Sequence, residues 1–288
     1  MLKKVLIGVI SGLIILSAND IAAQHSEISS FEIPYGNNPD AGIFKEINGT
    51  RIYFETYGSG ESLMLIHGNL GDISKMSHQI DFFSKHYRVI VPDCRGRGKS
   101  DMNTDSLTYE LITSDLVILM DSLDVEKCHI IGWSDGGIVG LMMGIKYPSK
   151  VNKIVAMAAN LWPDTTALIP WMKSWIVNSK QESYEMIKVN DLSKDWKTYY
   201  QLMDMMDTQP NILLSELQSI QSPVMIIAGD KDLIRDEHTV LMYQNIPNAH
   251  LWIIPGGTHF APIRQADLFN TTVDRFLSKP FNRPDGKF

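Results

Sequence analysis

The sequence predicts an α/β architecture: a mostly parallel, eight-stranded sheet with helices on both faces and one inserted helical cap. Three observations predict it. Short apolar runs alternate with stretches of helical spacing along most of the chain, a pattern that implies crossover connections and a sheet covered on both faces. A Gly-rich turn stands directly between one apolar run and an apolar helix. A single strand-free segment, at about 161–220, interrupts the alternation and is too long to be a structureless loop.

The elements follow in order. Lys3 and Lys4 precede an apolar run from Val5 to Leu16 and a small-residue exit at Ile21-Ala22-Ala23-Gln24, the pattern of an export leader cleaved after Ala23. The run is broken by Gly8, Ser11 and Gly12 and is shorter than the about 20 apolar residues of a spanning helix, so no stable membrane anchor is expected. The expected organisation is a signal peptide at 1–23 and one domain at 24–288, secreted or periplasmic. Asn48-Gly49 between Ile43–Ile47 and Arg51–Tyr57 signals a hairpin, which opens the sheet antiparallel.

Further strands are expected at Ser62–Ile66, Arg88–Pro92, Cys128–Gly132, Val151–Met157, Pro223–Ala228 and Ala249–Ile254. Ile112, Leu116, Leu119, Met120 and Leu123 form the buried stripe of one helix, and Phe269, Val273, Phe276 and Leu277 that of the last. The cap carries Trp162, Trp171, Trp175, Tyr184, Trp196, Tyr199, Tyr200, Met203, Met205 and Met206; roughly a third of them are expected to face an adaptable apolar pocket, the rest to pack the cap onto the body. From Pro280 to Phe288 a frayed tail is expected.

Composition narrows the function. The 288 residues are 44% hydrophobic and 20% charged, enough for a large core. A net charge of -7 leaves no basic footprint for nucleic acid, so the expected partner is a small-molecule substrate; oligomeric state is not indicated. Cys94 just past one strand and Cys128 at the start of another fall at opposite edges of a parallel sheet, so two free thiols are expected. No zinc, calcium or phosphate-loop motif is present, and no metal or cofactor is expected.

The chemistry centres on Gly132-Trp133-Ser134-Asp135-Gly136-Gly137, where a strand turns sharply into the apolar helix Ile138–Ile145. Such a turn exposes the Ser134 hydroxyl at a helix N-terminus. A serine hydroxyl needs a base, itself oriented by a carboxylate. His259, in Gly256-Gly257-Thr258-His259 just past the last strand, is the expected base. His78, His86 and His238 are expected to be solvated, and His129 and His250 to be strand residues. Ala228-Gly229-Asp230-Lys231-Asp232 offers two carboxylates for the third role.

Together with Asp93-Cys94-Arg95-Gly96-Arg97-Gly98-Lys99-Ser100, these residues resemble the α/β-hydrolase superfamily over about 43–278. The resemblance implies an α/β-hydrolase fold and selects Asp232, three residues after Gly229, as the acid, with Asp230 as the alternative. His67-Gly68-Asn69 resembles the oxyanion loop, which implies the backbone N–H groups of Asn69 and Asp135 as oxyanion donors and His67 as a structural brace. The Asp93–Ser100 run resembles a structural signature without chemistry of its own. The Gly-Trp-Ser-Asp-Gly-Gly elbow is similar to that of the valacyclovir hydrolase (biphenyl hydrolase-like) group, where an acid beside the nucleophile binds the ammonium of an α-amino ester. That role would fall to Asp135, whose other role is a carboxylate in a helix's first turn; Trp133 and Trp162 are further candidates for substrate contact.

The expected activity is hydrolysis of a small carboxylic ester, such as an α-amino acid ester, through an acyl-enzyme. Aminopeptidase, lactonase and carbon-carbon hydrolase activity use the same triad, and a non-catalytic binding protein on this scaffold is the alternative of another class. Relatives that use Asp at the elbow, dehalogenases and epoxide hydrolases, are disfavoured by Ser134.

Overall fold

The computed structural model describes residues 31–282, so the leader with its exit at Ala23 and most of the tail lie outside the described residues. The hairpin forms as read: β1 (Gly42–Ile47) pairs antiparallel with β2 (Thr50–Tyr57), and Asn48 and Gly49 both take positive φ, 47° and 70°. Two positive φ values match the twist of the flanking strands. The chain continues through β3 (Glu61–Ile66), α1 (Ser77–Phe83), β4 (Tyr87–Pro92), α2 (Tyr109–Ser122), β5 (Cys128–Trp133), α3 (Asp135–Lys146) and β6 (Val151–Met157). Then come α4 (Pro170–Lys188), α5 (Trp196–Thr208) and α6 (Leu214–Leu217), followed by β7 (Val224–Lys231), α7 (Asp236–Asn245), β8 (Ala249–Thr258), α8 (Ala261–Arg264) and α9 (Ala266–Ser278).

All eight strands join one sheet in the order β1-β2-β4-β3-β5-β6-β7-β8. β2 pairs antiparallel with both neighbours, and every pair from β4 onward is parallel. The progression reverses between β3 and β5, which leave from one point in opposite directions. Loops at the carboxyl ends of such strands diverge and open a crevice where ligands bind. Register brings the loops level there, since Ile66 at the end of β3 pairs with Gly132 near the end of β5.

Burial explains the helices. Nearly every residue of α3 is buried, as an all-round apolar helix requires. The stripe Ile112, Leu116, Leu119 and Met120 of α2 is buried, with Leu123 partly so just past the helix end; in α9 Phe269, Val273, Phe276 and Leu277 are all buried. A fully buried fork from Arg95 to Asp115, with bonds of 2.7 and 2.8 Å, ties the loop after β4 to α2. A buried ion of either sign is tolerable only when paired in this way.

Between Met157 and Val224 the described chain has three helices and one isolated bridge, Leu168 to Ile234, matching the strand-free insertion. α4 packs on α5, and Lys173 and Lys180 of α4 pair with Asp207 of α5 at 2.6 and 2.9 Å. Cys94 and Cys128 are free and buried, and burial pushes both thiols up to about 12.

Two histidines depart from the reading: His78 is half-buried, and His238 is buried outright. His86 is exposed, but His238 is buried at 2% exposure, and its Nε2 accepts the backbone N–H of Leu161 at 3.0 Å. The first turn of α7 packs against the start of the cap insertion, and Trp162 closes over the imidazole edge-on at 4.7 Å. Burial holds the His238 pKa down, at about 4.

Candidate active site

Ser134 stands at the junction of β5 and α3 with φ 57° and ψ −118°, a backbone conformation that a side chain other than glycine adopts only under constraint. The constraint is visible. Its N–H donates to Met157 O at 2.8 Å, and its carbonyl accepts from Gly137 and Ile138 at 2.8 and 3.1 Å. A Cβ on Gly132 would lie 2.0 Å from the carbonyl oxygen of Gly136, so the crossing of strand and helix leaves no room for a side chain there.

His259 follows β8 and reaches the same crevice. Its Nδ1–H donates to Asp232 Oδ1 at 2.7 Å, leaving Nε2 as the acceptor nitrogen. Asp232 itself is buried, and its oxygens also accept backbone N–H bonds from Leu233 at 2.7 Å, Ile234 at 3.3 Å and Gly229 at 3.2 Å. Burial alone would raise this carboxyl; the His259 charge and the bonds from His259, Gly229 and Ile234 outweigh it and bring the pKa below the ordinary value. Asp230, the alternative carboxylate, closes β7 and makes no bond to His259. Trp133 is buried beside Ser134, and its indole N–H donates to His259 O at 2.7 Å, bracing the loop that carries the imidazole.

The loop after β3 is equally fixed. Its Gly68 packs so close that a Cβ there would meet Ser134 Cβ at 3.1 Å. His67 Nδ1–H donates to Gly68 O at 2.8 Å, while Nε2 accepts the Cys94 N–H at 3.1 Å. Burial and the Arg97 charge hold its pKa down at about 4, so His67 is a neutral brace between two loops. Among the described residues the backbone N–H groups of Asn69 and Asp135 take no hydrogen-bond partner.

The side chain of Asp135 is not open. Its Oδ2 accepts from Arg97 Nη2 and its Oδ1 from the Tyr109 hydroxyl, each at 2.8 Å, and the residue is buried at 5% exposure. Burial pushes the Asp135 carboxyl up, against the opposing pull of the Arg97 charge and of the bonds from Tyr109 and Arg97. Burial and the Asp135 charge keep the Tyr109 phenol protonated, as its role as donor requires.

A small pocket joins these parts. Ser134, Asp135, Tyr109 and His259 line it from the body, with Asn160, Leu233 and Ile234; Leu168, Met172, Ile176, Met206 and Gln209 close it from the insertion. Of the Met and aromatic residues singled out in the cap, Met206 alone is among the lining, fewer than the third expected. Met203 and Met205 are turned into the core, whereas Trp171 and Tyr184 face outward at 49% and 45% exposure. Trp133 and Trp162 also lie outside the lining; Trp162 donates to Thr166 Oγ1 at 2.6 Å and packs on His238.

Arg97 and Tyr109 are the participants that sequence reasoning missed. Arg97 sits in the run read as purely structural, and nothing in its spacing relates it to residue 135. Tyr109 could have been found as the next member, one turn earlier, of the α2 stripe, but not its hydroxyl partner. Among the described residues no group of three or more His, Cys, Asp or Glu side chains is placed to hold a metal ion, and no helix is long and apolar enough to cross a membrane.

The chain is similar to known proteins in sequence and in fold. The sequence model of the family described as alpha/beta hydrolase fold matches residues 61–186. The chain is 28% identical over 247 residues to serine hydrolase BPHL of Mus musculus, covering 80% of this chain and 84% of that protein. It is 25% identical over 267 residues to the 2-hydroxy-6-oxo-6-phenylhexa-2,4-dienoate hydrolase of Burkholderia cepacia, covering 81% and 93%. The solved enol-lactonase of Burkholderia xenovorans LB400 superposes with a TM-score of 0.69 at 22% identity, over 82% of this chain and 100% of that one, a likeness of fold. The chain has the alpha/beta hydrolase fold, is similar in sequence to serine hydrolase BPHL, and is an enzyme of the hydrolase kind.

Proposed function

We propose that the protein hydrolyses a small-molecule carboxylic ester through an acyl-enzyme on Ser134. The observation that carries this reading is the constrained serine in one pocket with a histidine whose far nitrogen is bonded to a buried carboxylate. His259 Nε2 takes the Ser134 proton as Oγ bonds to the ester carbonyl carbon, and Asp232 stabilises the imidazolium that forms. The carbonyl oxygen becomes an oxyanion facing the N–H groups of Asn69 and Asp135. Collapse expels the alcohol, which leaves with the proton from His259. Water then attacks the acyl-enzyme with His259 again as base, releasing the acid and restoring Ser134.

A fluorophosphonate probe is expected to label the protein, and mass spectrometry after mixing with a p-nitrophenyl ester to find the acyl group on Ser134. Probe labelling that persists in Ser134→Ala would refute the assignment. The same experiment separates an enzyme from a binding protein on this scaffold. Lactones, the substrate class named for one relative, N-terminal peptide bonds and carbon-carbon bonds are the other substrates to screen against esters.

A second reading, hydrolysis of α-amino acid esters, is favoured by one observation: Asp135 lines the pocket beside the nucleophile. Against it stand Arg97 and Tyr109, which already occupy both carboxylate oxygens. Asp135→Asn decides between them. A rise in KM confined to α-amino esters supports ammonium binding; equal behaviour with matched esters lacking the amine leaves Asp135 as an oxyanion donor only. Export with cleavage after Ala23 is part of the proposal, checked by N-terminal sequencing of the mature protein.

A further inference from the structure

Arg97 occupies an unusual position. Its Nε and Nη2 donate to Asn69 Oδ1 at 3.3 and 3.0 Å, its Nη2 also to Asp135 Oδ2 at 2.8 Å, and its Nη1 to Arg95 O at 3.3 Å. One guanidinium thus grips the side chains of Asn69 and Asp135, the two residues whose backbone N–H groups take no partner. These residues lie on separate elements, the loop after β3 and the start of α3. No direct hydrogen bond between their side chains is formed; Arg97 supplies the link. The side chain of Arg97 is 2% exposed.

We propose that Arg97 is a positioning residue that holds the two halves of the oxyanion hole in register, an inference that rests on the serine-hydrolase reading above. The physical basis is that oxyanion donors act through preorganisation: they stabilise developing charge only if they need not move as it forms. A planar fork with fixed N–H directions sets the distance between two acceptors, which a flexible ammonium does not. Asn69 carries the coupling further. Its Nδ2 donates to Leu202 O at 3.4 Å and contacts Met206 Sδ, both on α5, so the cap is joined to the nucleophile elbow through two side chains, Asn69 and Arg97. Met206 of the cap is therefore one contact from Asn69, which carries one donor, and three from Asp135, which carries the other.

The test compares the full-length protein with Arg97→Met, Arg97→Lys, Arg97→Ala and Asn69→Ala. Two readouts are used: steady-state ester hydrolysis, and the rate at which a fluorophosphonate labels Ser134, which needs nucleophile, base and oxyanion hole but no knowledge of the substrate. Arg97→Met is expected to lower kcat and the labelling rate by about 100-fold while KM changes less than about threefold, the magnitude seen when one oxyanion donor is lost. Arg97→Lys is expected to recover little of this. Free guanidinium at millimolar concentration is expected to raise the labelling rate of Arg97→Ala at least about tenfold, a rescue that a merely structural role would not show.

Asn69→Ala, which leaves the Arg97 to Asp135 pair intact, is expected to lower both rates by about tenfold, and combination with Arg97→Met to cost less than the product of the two. If Arg97→Met does not fold, Asn69→Ala and the rescue of Arg97→Ala decide. Unchanged labelling rates in folded variants, or matching losses in kcat and in KM-limited binding with no rescue, overturn the inference. Absence of labelling in the unsubstituted protein would instead overturn the serine-hydrolase reading.

Discussion

The rim of the sheet and the cap above it are held by different forces. At the rim polar groups are fixed by short hydrogen bonds: Asp232 takes three backbone N–H bonds besides His259, and His67 spans two loops with both ring nitrogens. In the cap, α4 buries few side chains, and Trp171, Val177, Tyr184, Val189 and Leu192 in and just after it face outward. Its lysine to aspartate pairs are partly solvated and contribute roughly 0 to 1 kcal/mol each. What seats the cap is the apolar face of Ile176, Leu202, Met203 and Met205. The difference teaches that hydrogen bonds fix distances at the rim, whereas apolar packing leaves the cap room to adjust.

The strongest way to break this comparison is at the rim. Asp232→Asn preserves the shape but removes the charge and favours the wrong imidazole tautomer, so kcat is expected to fall by about 10³ to 10⁴. Asp230→Asn is expected to stay within a few-fold. Equal losses in the two variants, measured on one p-nitrophenyl ester, would end the assignment of Asp232.

The junction between the regions offers the next effect. His238 has its pKa near 4 in the fold against an ordinary value of about 6.5, so the unfolded chain binds the extra proton first as pH falls. Stability is therefore full above about pH 6.5 and is lost as pH drops from there toward 4, by on the order of 3 kcal/mol. His238→Gln should flatten this window in thermal melts at successive pH values. A melt profile from pH 7 to 4 identical to that of the parent would refute the linkage.

Within the cap the expected changes are smaller. Met206→Ala enlarges the pocket and is expected to shift kcat/KM by about tenfold toward larger acyl groups, with the rim untouched. A uniform fall across an acyl series would show that Met206 acts through Asn69 rather than through pocket volume. Lys180→Met, which removes the solvated pairs with Asp204 and Asp207, is expected to lower Tm by no more than a few degrees. A larger drop would place the cap's cohesion in its charges.

Much of the body was legible because strands announce themselves locally. The Asn48-Gly49 hairpin, the run Val151–Met157 and the α9 stripe depend on neighbours in sequence, and each formed as read. β7 and β8 run on past their expected ends, to Lys231 and Thr258, because pairing with each other rather than local propensity decides where they stop. The cap was legible as a helical insertion but not in its facing. An apolar residue on a polar helix has no local signal for which way it turns, and Met203 and Met206 differ only by one turn of α5 and by what lies across from them.

By itself the sequence determined the order of elements, the elbow at Ser134 and the late histidine, since each rests on spacing along the chain and on which residues a tight turn admits. The tertiary structure decided which carboxylate meets His259, which cap residues reach the pocket, and that His238 is buried. It also decided that Asp135 is held by Arg97 and Tyr109. Those outcomes depend on pairs of groups brought together from distant positions, where burial strengthens charge and hydrogen bonding and no local pattern records the partner.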